Sequence, residues 1–225
     1  MLSDLELMEQ QVKVLFQHDA RNRMTVVNEV PHHVAPYVFV GGTRLGNVVR
    51  YSSTLDVKLV AELKSVIGTY PGIHLAGVIQ ILNRDRPINH LWMGPAYVFP
   101  DVTASSCTQV IQVSHDNKEL LKPHFPYTFD DFEHKRPCFV RMEEGIPVSI
   151  CCSARQTSRA DEASVFTHEE YRGRGYGVEV VKAWAAEVQK QGRIALYSTS
   201  WDNFASQSVA RKLRLVQYGT DIHIS

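Results

Sequence analysis

The stretch Tyr171-Arg172-Gly173-Arg174-Gly175-Tyr176-Gly177 joins an apolar, strand-like segment to an amphipathic helical pattern. Glycine costs backbone entropy in ordered structure, so alternate glycines imply that main-chain atoms must lie close to something. The arginines imply that this something is anionic. Amides at a helix N-terminus lack intrahelical partners and, with the helix dipole, form an anion site. Without β-carbons at 173, 175 and 177, successive amides can converge on a phosphate, and Arg172 and Arg174 can add charge-assisted hydrogen bonds at its rim. An ordinary tight turn with solvated arginines would look the same by composition. The dinucleotide fingerprint does not fit, because its final two-residue gap is missing. A Walker loop does not fit either, because no Gly-Lys-Ser/Thr follows.

The elements around this turn follow from hydrophobic periodicity. "EASVF" (162–166) reads as the strand entering it. "VEVVKAWAAEVQK" reads as the helix leaving it, with Val181, Trp184 and Val188 on one stripe. A strand, "RIALYSTS", and a short helix, "NFASQSVARKL", with Ala205, Val209 and Leu213 four apart, come next. "LVQYG" and "DIHIS" read as a closing hairpin. Upstream, "CFVRM" and "VSICCSAR" pair across the turn "EEGIP". In the first half, Ser3 and Glu6 form a capping box for a helix with Leu5, Met8, Val12 and Leu15 on one face. "YVFV" reads as a strand and "GGTRLGN" (41–47) as a plain turn. "TLDVKLVAELKSVIG" reads as a helix on Val57, Val60, Leu63 and Ile67, stopped by Gly68. "HLAGVIQIL" and "HLWMGPAYVFP" read as strands. This gives an α/β chain with a smaller α/β region at 1–105 and a second domain at 106–225.

Composition sets bounds. The 225 residues carry 24 basic and 24 acidic side chains. There is no global field to draw in nucleic acid or an anionic membrane, and any anion site must be local. No apolar run reaches membrane-spanning length, and the acidic N-terminus lacks the form of a signal peptide. Cys107, Cys138, Cys151 and Cys152 show no metal-ligand spacing and read as reduced thiols of a cytoplasmic protein. His32-His33 has no third ligand, so no metal is expected.

Strand, "YRGRGYG", helix, "ALYSTS" and then "WDNFASQSVARKLRL" resembles the GNAT superfamily of acyl-CoA-dependent N-acyltransferases. The match covers roughly residues 107–225 and rests on two separated motifs in the correct order. The resemblance implies a GNAT-like fold there; the alternating strands and helices of the first region could be a degenerate copy of the same fold, and a substrate lid or a dimerisation unit are left open. It implies acetyl-CoA as cosubstrate, with amides from Arg172 through Gly173, Arg174, Gly175 and Tyr176 to Gly177 on its pyrophosphate. The strand edge at Val165, Phe166 and Thr167 would pair with the pantetheine amides. Asn203 matches an asparagine contacting the pantetheine arm and is also a good N-cap. Ser206 matches a small residue near the cofactor.

An alkyl amine at pH 7 is mostly protonated, so attack on a thioester needs a base. Glu162, ten residues before Arg172, stands close to where some family members place a catalytic glutamate. Its alternative is an exposed charge at a strand entrance. Glu169 and Glu170 fall on the solvent side. The backbone N–H of Val165 is the candidate to hold the developing oxyanion. Ser149, Cys151 and Ser153 alternate along the neighbouring strand, and His115-Asp116 could border the acceptor. Where many family members carry a proton-donating tyrosine, this chain has Ala210, and Arg214 and Leu215 also depart from the pattern. Tyr197 and Tyr218 are other phenols that could serve. The expected activity is acetyl or short-acyl transfer to a primary amine, of a small molecule or a peptide, in a ternary complex. The alternative is an acyl-CoA-binding regulatory module with little turnover, and a homodimer is left open.

Overall fold

The computed structural model describes residues 2–68, 72–103 and 107–225. The chain falls into two compact units. The first comprises Met1–Tyr97, Ser198–Asn203 and Gln217–Ser225, and the second Val98–Tyr197 and Phe204–Val216. The expected boundary between 105 and 106 lies outside the described residues.

In the first unit, α1 (Asp4–Leu15) starts at a complete capping box, with Ser3 and Glu6 each bonding the other's backbone. Of its expected face, Met8, Val12 and Leu15 are buried, together with Leu7, Gln11 and Val14. A small antiparallel pair, β1 (Phe16–His18) and β2 (Met24–Val27), follows. The "GGTRLGN" turn is the tip of a hairpin between β3 (Val38–Thr43) and β4 (Gly46–Tyr51), so the strand begun by "YVFV" runs through both glycines. Next come α2 (Val57–Val66), α3 (Leu75–Asp85) and β5 (Leu91–Val98), and β11 (Val216–Ile224) completes the strand order β4-β3-β11-β5.

Three expectations need correction here. "HLAGVIQIL" is a helix, because Val78 and Leu82 recur at helical spacing into the core and β-propensity yields to that burial. The α2 stripe is rotated: Leu59 and Leu63 are buried with Leu55 and Ile67, while Val57 is 74% exposed and Val60 half-buried. The closing "hairpin" is the single strand β11, paired antiparallel with β3. Gly219 does not turn the chain. A β-carbon there would stand 2.6 Å from the Gly42 carbonyl oxygen and from Met8 Cε, so the glycine permits close packing.

The second unit holds β6 (Val110–Val113), α4 (Pro126–Asp130), β7 (Cys138–Glu143), β8 (Ile146–Gln156), β9 (Ala160–Thr167), α5 (Tyr176–Lys190), β10 (Ile194–Ser198) and α6 (Phe204–Lys212). Its sheet has the order β10-β9-β8-β7-β6 and is mixed, parallel between β10 and β9 and antiparallel beyond. The expected hairpin is β7–β8. Helix α5 buries Val181, Trp184 and Val188, the stripe its spacing gave. The other face of β7–β8 packs Phe125, Phe132 and Leu121 against Ile150 and Cys152. Helix α6 departs from its expected stripe and buries Gln207 and Ala210 instead. Among the described residues no helix is long and apolar enough to cross a membrane.

Candidate functional site

Strand β9 starts two residues earlier than its sequence pattern suggested, and its pairing with β10 is short. The register runs Ile194↔Ala160, Ala195↔Asp161 and Leu196↔Glu162. On its other side β9 stays paired with β8 to Thr167. Beyond Glu162, therefore, one edge of β9 is open. Backbone polarity can be followed along it. His168 N–H donates to Val148 O at 3.0 Å, and Ser153 N–H donates to the Lys135 and Pro137 carbonyls on the β7 side. Alternation along antiparallel strands then turns the N–H and C=O of Phe166 and Ser164 towards β8, and those of Val165 and Thr167 towards the open edge. The Thr167 carbonyl on that edge accepts from Arg172 Nε at 3.1 Å.

The open edge leads into the glycine-arginine turn. A single helical turn at Glu169–Tyr171 precedes it, and α5 begins after Gly175. Gly173 and Gly175 have φ of 78° and 88°, the left-handed region that costs other residues strain. Space above both is open, since an added β-carbon would meet no atom within 4 Å. Gly177 serves otherwise: its β-carbon would lie 3.3 Å from Thr167 Oγ1 and 3.7 Å from Val165 Cγ2, so its absence lets α5 sit on β9. No side chain caps α5. The Val178 amide bonds Gly175 O at 3.0 Å, which leaves the amides of Gly175, Tyr176 and Gly177 ahead of the helical ladder. Arg172 and Arg174 are exposed, and Arg174 lies over the Tyr171 ring at 5.2 Å. Unpartnered amides, open space and two cations fit a pyrophosphate, and the bare strand edge fits an amide-bearing arm.

Sequence spacing could not reveal what holds this turn. Arg141 on β7 stacks 4.5 Å over the ring of Tyr176, the first residue of α5. Its Nε bonds Glu179 Oε2 at 2.8 Å, and its other end lies 3.2 Å from Glu143 Oε2, which also accepts from Tyr176 Oη at 2.8 Å. The cluster ties the first turn of α5 to β7 across a sequence separation of more than thirty residues, with no local pattern to announce it.

Val165 and Thr167 face α5, so strand alternation puts Glu162, Ser164 and Phe166 on the opposite face. Glu162 is 3% exposed, which excludes the solvated strand-entrance charge. Phe166 is 48% exposed and edges against Phe125 and His168. Glu169 and Glu170 are exposed. Asp161, next to Glu162 but on the α5 side, is completely buried. It bonds Arg193 at 2.5 Å and accepts from Ser153 Oγ at 2.6 Å, while Trp184 Nε1 donates to the same Ser153 oxygen. Burial pushes the Asp161 carboxyl up to about 6, outweighing the downward pull of Ser153 and Arg193. Ser153 belongs to this buried network. Ser149 Oγ instead sits 2.7 Å from Thr167 Oγ1.

The two tyrosines now have places. Tyr197, buried on β10, has its hydroxyl 2.6 Å from Ser206 Oγ on α6. Tyr218 is buried in the first unit and donates to Gln11 Oε1. Ala210 is buried in α6. Asn203 is exposed, stands immediately before α6, and donates its amide to Ser200 O at 3.1 Å. His115 pairs with Glu133, and His32 bonds the Val27 carbonyl. Among the described residues no three His, Cys, Asp or Glu side chains cluster to hold a metal.

The profile of the GNAT acetyltransferase family matches residues 96–218, and the chain belongs to that family. Acyl-CoA-dependent acetyl transfer is the family's class of activity. Among solved structures, a GNAT-family protein from Novosphingobium aromaticivorans aligns at 12% identity with a TM-score of 0.52, over 61% of this chain and 66% of its own, just short of two thirds. A GNAT-family acetyltransferase from Colwellia psychrerythraea aligns at 9% identity and the same TM-score, over 79% and 75%. At these identities the likeness is one of fold. No curated protein sequence matches the chain.

Proposed function

We propose that the chain transfers an acetyl or short acyl group from coenzyme A to a primary amine by direct attack in a ternary complex. The observation that carries this reading is the end of β9–β10 pairing at Glu162, which leaves a bare edge running to an uncapped, arginine-flanked helix start. The amides from Gly173 to Gly177 would hold the pyrophosphate, with the Arg172 and Arg174 side chains at its rim; the Arg172 amide, expected among them, already donates to the Glu169 carbonyl. The Val165 C=O and the Thr167 N–H would pair with the amide-bearing arm as an added strand does. Asn203 and Ser206 are assigned to that arm by resemblance. Coenzyme A supplies the activated thioester.

The residues of β9 do the rest. Glu162, shielded from bulk water, would take the proton that an attacking ammonium must lose. The outward-turned amide of Val165 would meet the developing oxyanion. Tyr197, hydrogen-bonded to Ser206, would return a proton to the departing thiolate in place of the missing tyrosine at Ala210. Ala210 also favours a second reading, a module that binds acyl-CoA with little turnover.

Thiol release from acetyl-CoA across a panel of primary amines tests the proposal. The parent should turn over at least one amine. Glu162→Gln should lower kcat/KM by about 10²- to 10⁴-fold while the coenzyme Kd stays constant. Saturable binding with no turnover on any amine would select the module.

A further inference from the structure

The rotation of α2 exposes a surface that acyl transfer does not use. Val57, exposed, and the half-buried Val60 form with Val49 and Tyr51 the apolar floor of a cavity of about 290 Å³ in the first unit. Its remaining wall is Asn22 and the cations Arg21, Arg23, Arg50 and Lys64, and among the described residues no carboxylate lines it. On a chain with a formal net charge of zero, that is a strong local segregation. Of the nearby carboxylates, only that of Glu9 bonds the side chain of a lining cation. Glu9 bonds Arg50 at 2.5 Å, Asp19 accepts the amides of Arg21 and Arg23, and Asp56 caps α2 through the Leu59 amide.

The cations divide by role. Arg23 is fixed on the Ser52 and Leu55 carbonyls, and Arg50 on Glu9 and the Val49 carbonyl. They make a rigid wall, in which Glu9 offsets the charge of Arg50. Arg21 and Lys64 have no side-chain partner among the described residues and are free to close on a ligand. Burial holds the Tyr51 phenol at about 12, so its hydroxyl stays a donor across the working pH range. Donors around an apolar floor select a negative head on an apolar body.

We propose that this cavity binds a small organic anion, a carboxylate or a phosphate monoester carried on a short apolar or aromatic body. Its volume lies at the small end of ligand pockets, which suits a single ring with one anionic group. The proposal does not depend on the coenzyme reading, because every residue in it belongs to the first unit.

The test is NMR titration of the full chain, following the methyls of Val57 and Val60 and the ring of Tyr51. Phenyl phosphate and benzoate are the probes, with inorganic phosphate and benzylamine as controls. At least one probe should give saturable shifts at these residues, with inorganic phosphate at least about tenfold weaker and benzylamine silent. A response to phenyl phosphate alone assigns a phosphate head, and one to benzoate alone a carboxylate. The double variant Arg21→Glu/Lys64→Glu should weaken the bound probe by at least about tenfold with Tm unchanged, since both side chains are exposed. Arg172→Glu/Arg174→Glu should leave the titration as it was. Shifts absent from Val57 and Val60, equal response to benzylamine, or affinity unmoved by the unit-one reversal would each overturn the assignment.

Discussion

Helices α1 and α5 begin in opposite ways. At α1, Ser3 and Glu6 satisfy each other's backbone through a capping box, so the first turn is complete in itself. At α5, a left-handed glycine occupies the N-cap and, among the described residues, no side chain caps the leading amides. Helix α2 follows the first pattern through Asp56. Helix α3 also starts without a side-chain cap, at His74, but has neither a left-handed glycine nor an arginine in its first turn. A capped helix keeps its stability local. The start of α5 is held from the side, by Arg141 and Glu143 against Tyr176 and Glu179, and its leading amides are proposed to meet the pyrophosphate.

Substitution can break this contrast. The largest effect is expected for Gly175→Glu, which sets a carboxylate among the amides proposed for the pyrophosphate. Coenzyme Kd, read by calorimetry, should rise at least about 100-fold. The left-handed strain should cost about 1–2 kcal/mol without unfolding the chain. Unchanged binding would show that the site is elsewhere.

The two ends of α5 differ as well. Beyond its last turn, Arg193 is locked to the buried Asp161. A carboxyl held up at about 6 keeps its proton longer in the folded chain than in the unfolded one. The stability it contributes is therefore full below pH 4 and is lost as pH rises through 6. Relative to Asp161→Asn, the parent should lose up to about 3 kcal/mol of unfolding free energy between pH 4 and 6.5, measured by urea denaturation. A constant difference over that range would mean that Arg193 keeps Asp161 ionised throughout.

Gly175→Asn sharpens the comparison. Asparagine tolerates the left-handed region and offers a capping oxygen, so the variant should fold at least as well as Gly175→Glu. By occupying an amide it should weaken coenzyme binding by about tenfold. The smallest effect is the converse one: Ser3→Ala should cost about 1 kcal/mol in stability and leave coenzyme Kd unaltered.

Legibility in the sequence followed the range of the interaction that fixes each feature. The capping box of α1 and the buried stripe of α5 depend on residues within four positions of one another, and both stood in the pattern. The glycine-arginine turn was visible for the same reason. The α2 stripe was harder, because two valines and two leucines offer overlapping helical faces, and only packing against Val38, Val40 and Ile222 selects the leucines. "HLAGVIQIL" satisfied strand composition and helix spacing together. At Gly219 the sequence shows a turn former, whereas the fold uses the missing β-carbon against Gly42 and Met8.

The candidate site divides in the same way. Sequence alone determined the string of amides, the two arginines and the glutamate ten residues before them, because a strand and the helix after it are continuous in the chain. Tertiary structure decided that Glu162 is buried, that β9 loses its neighbour just beyond it, that Arg141 braces the helix start and that Tyr197 meets Ser206. Each of these depends on residues of different elements brought together by the fold, and local periodicity carries no information about such pairings.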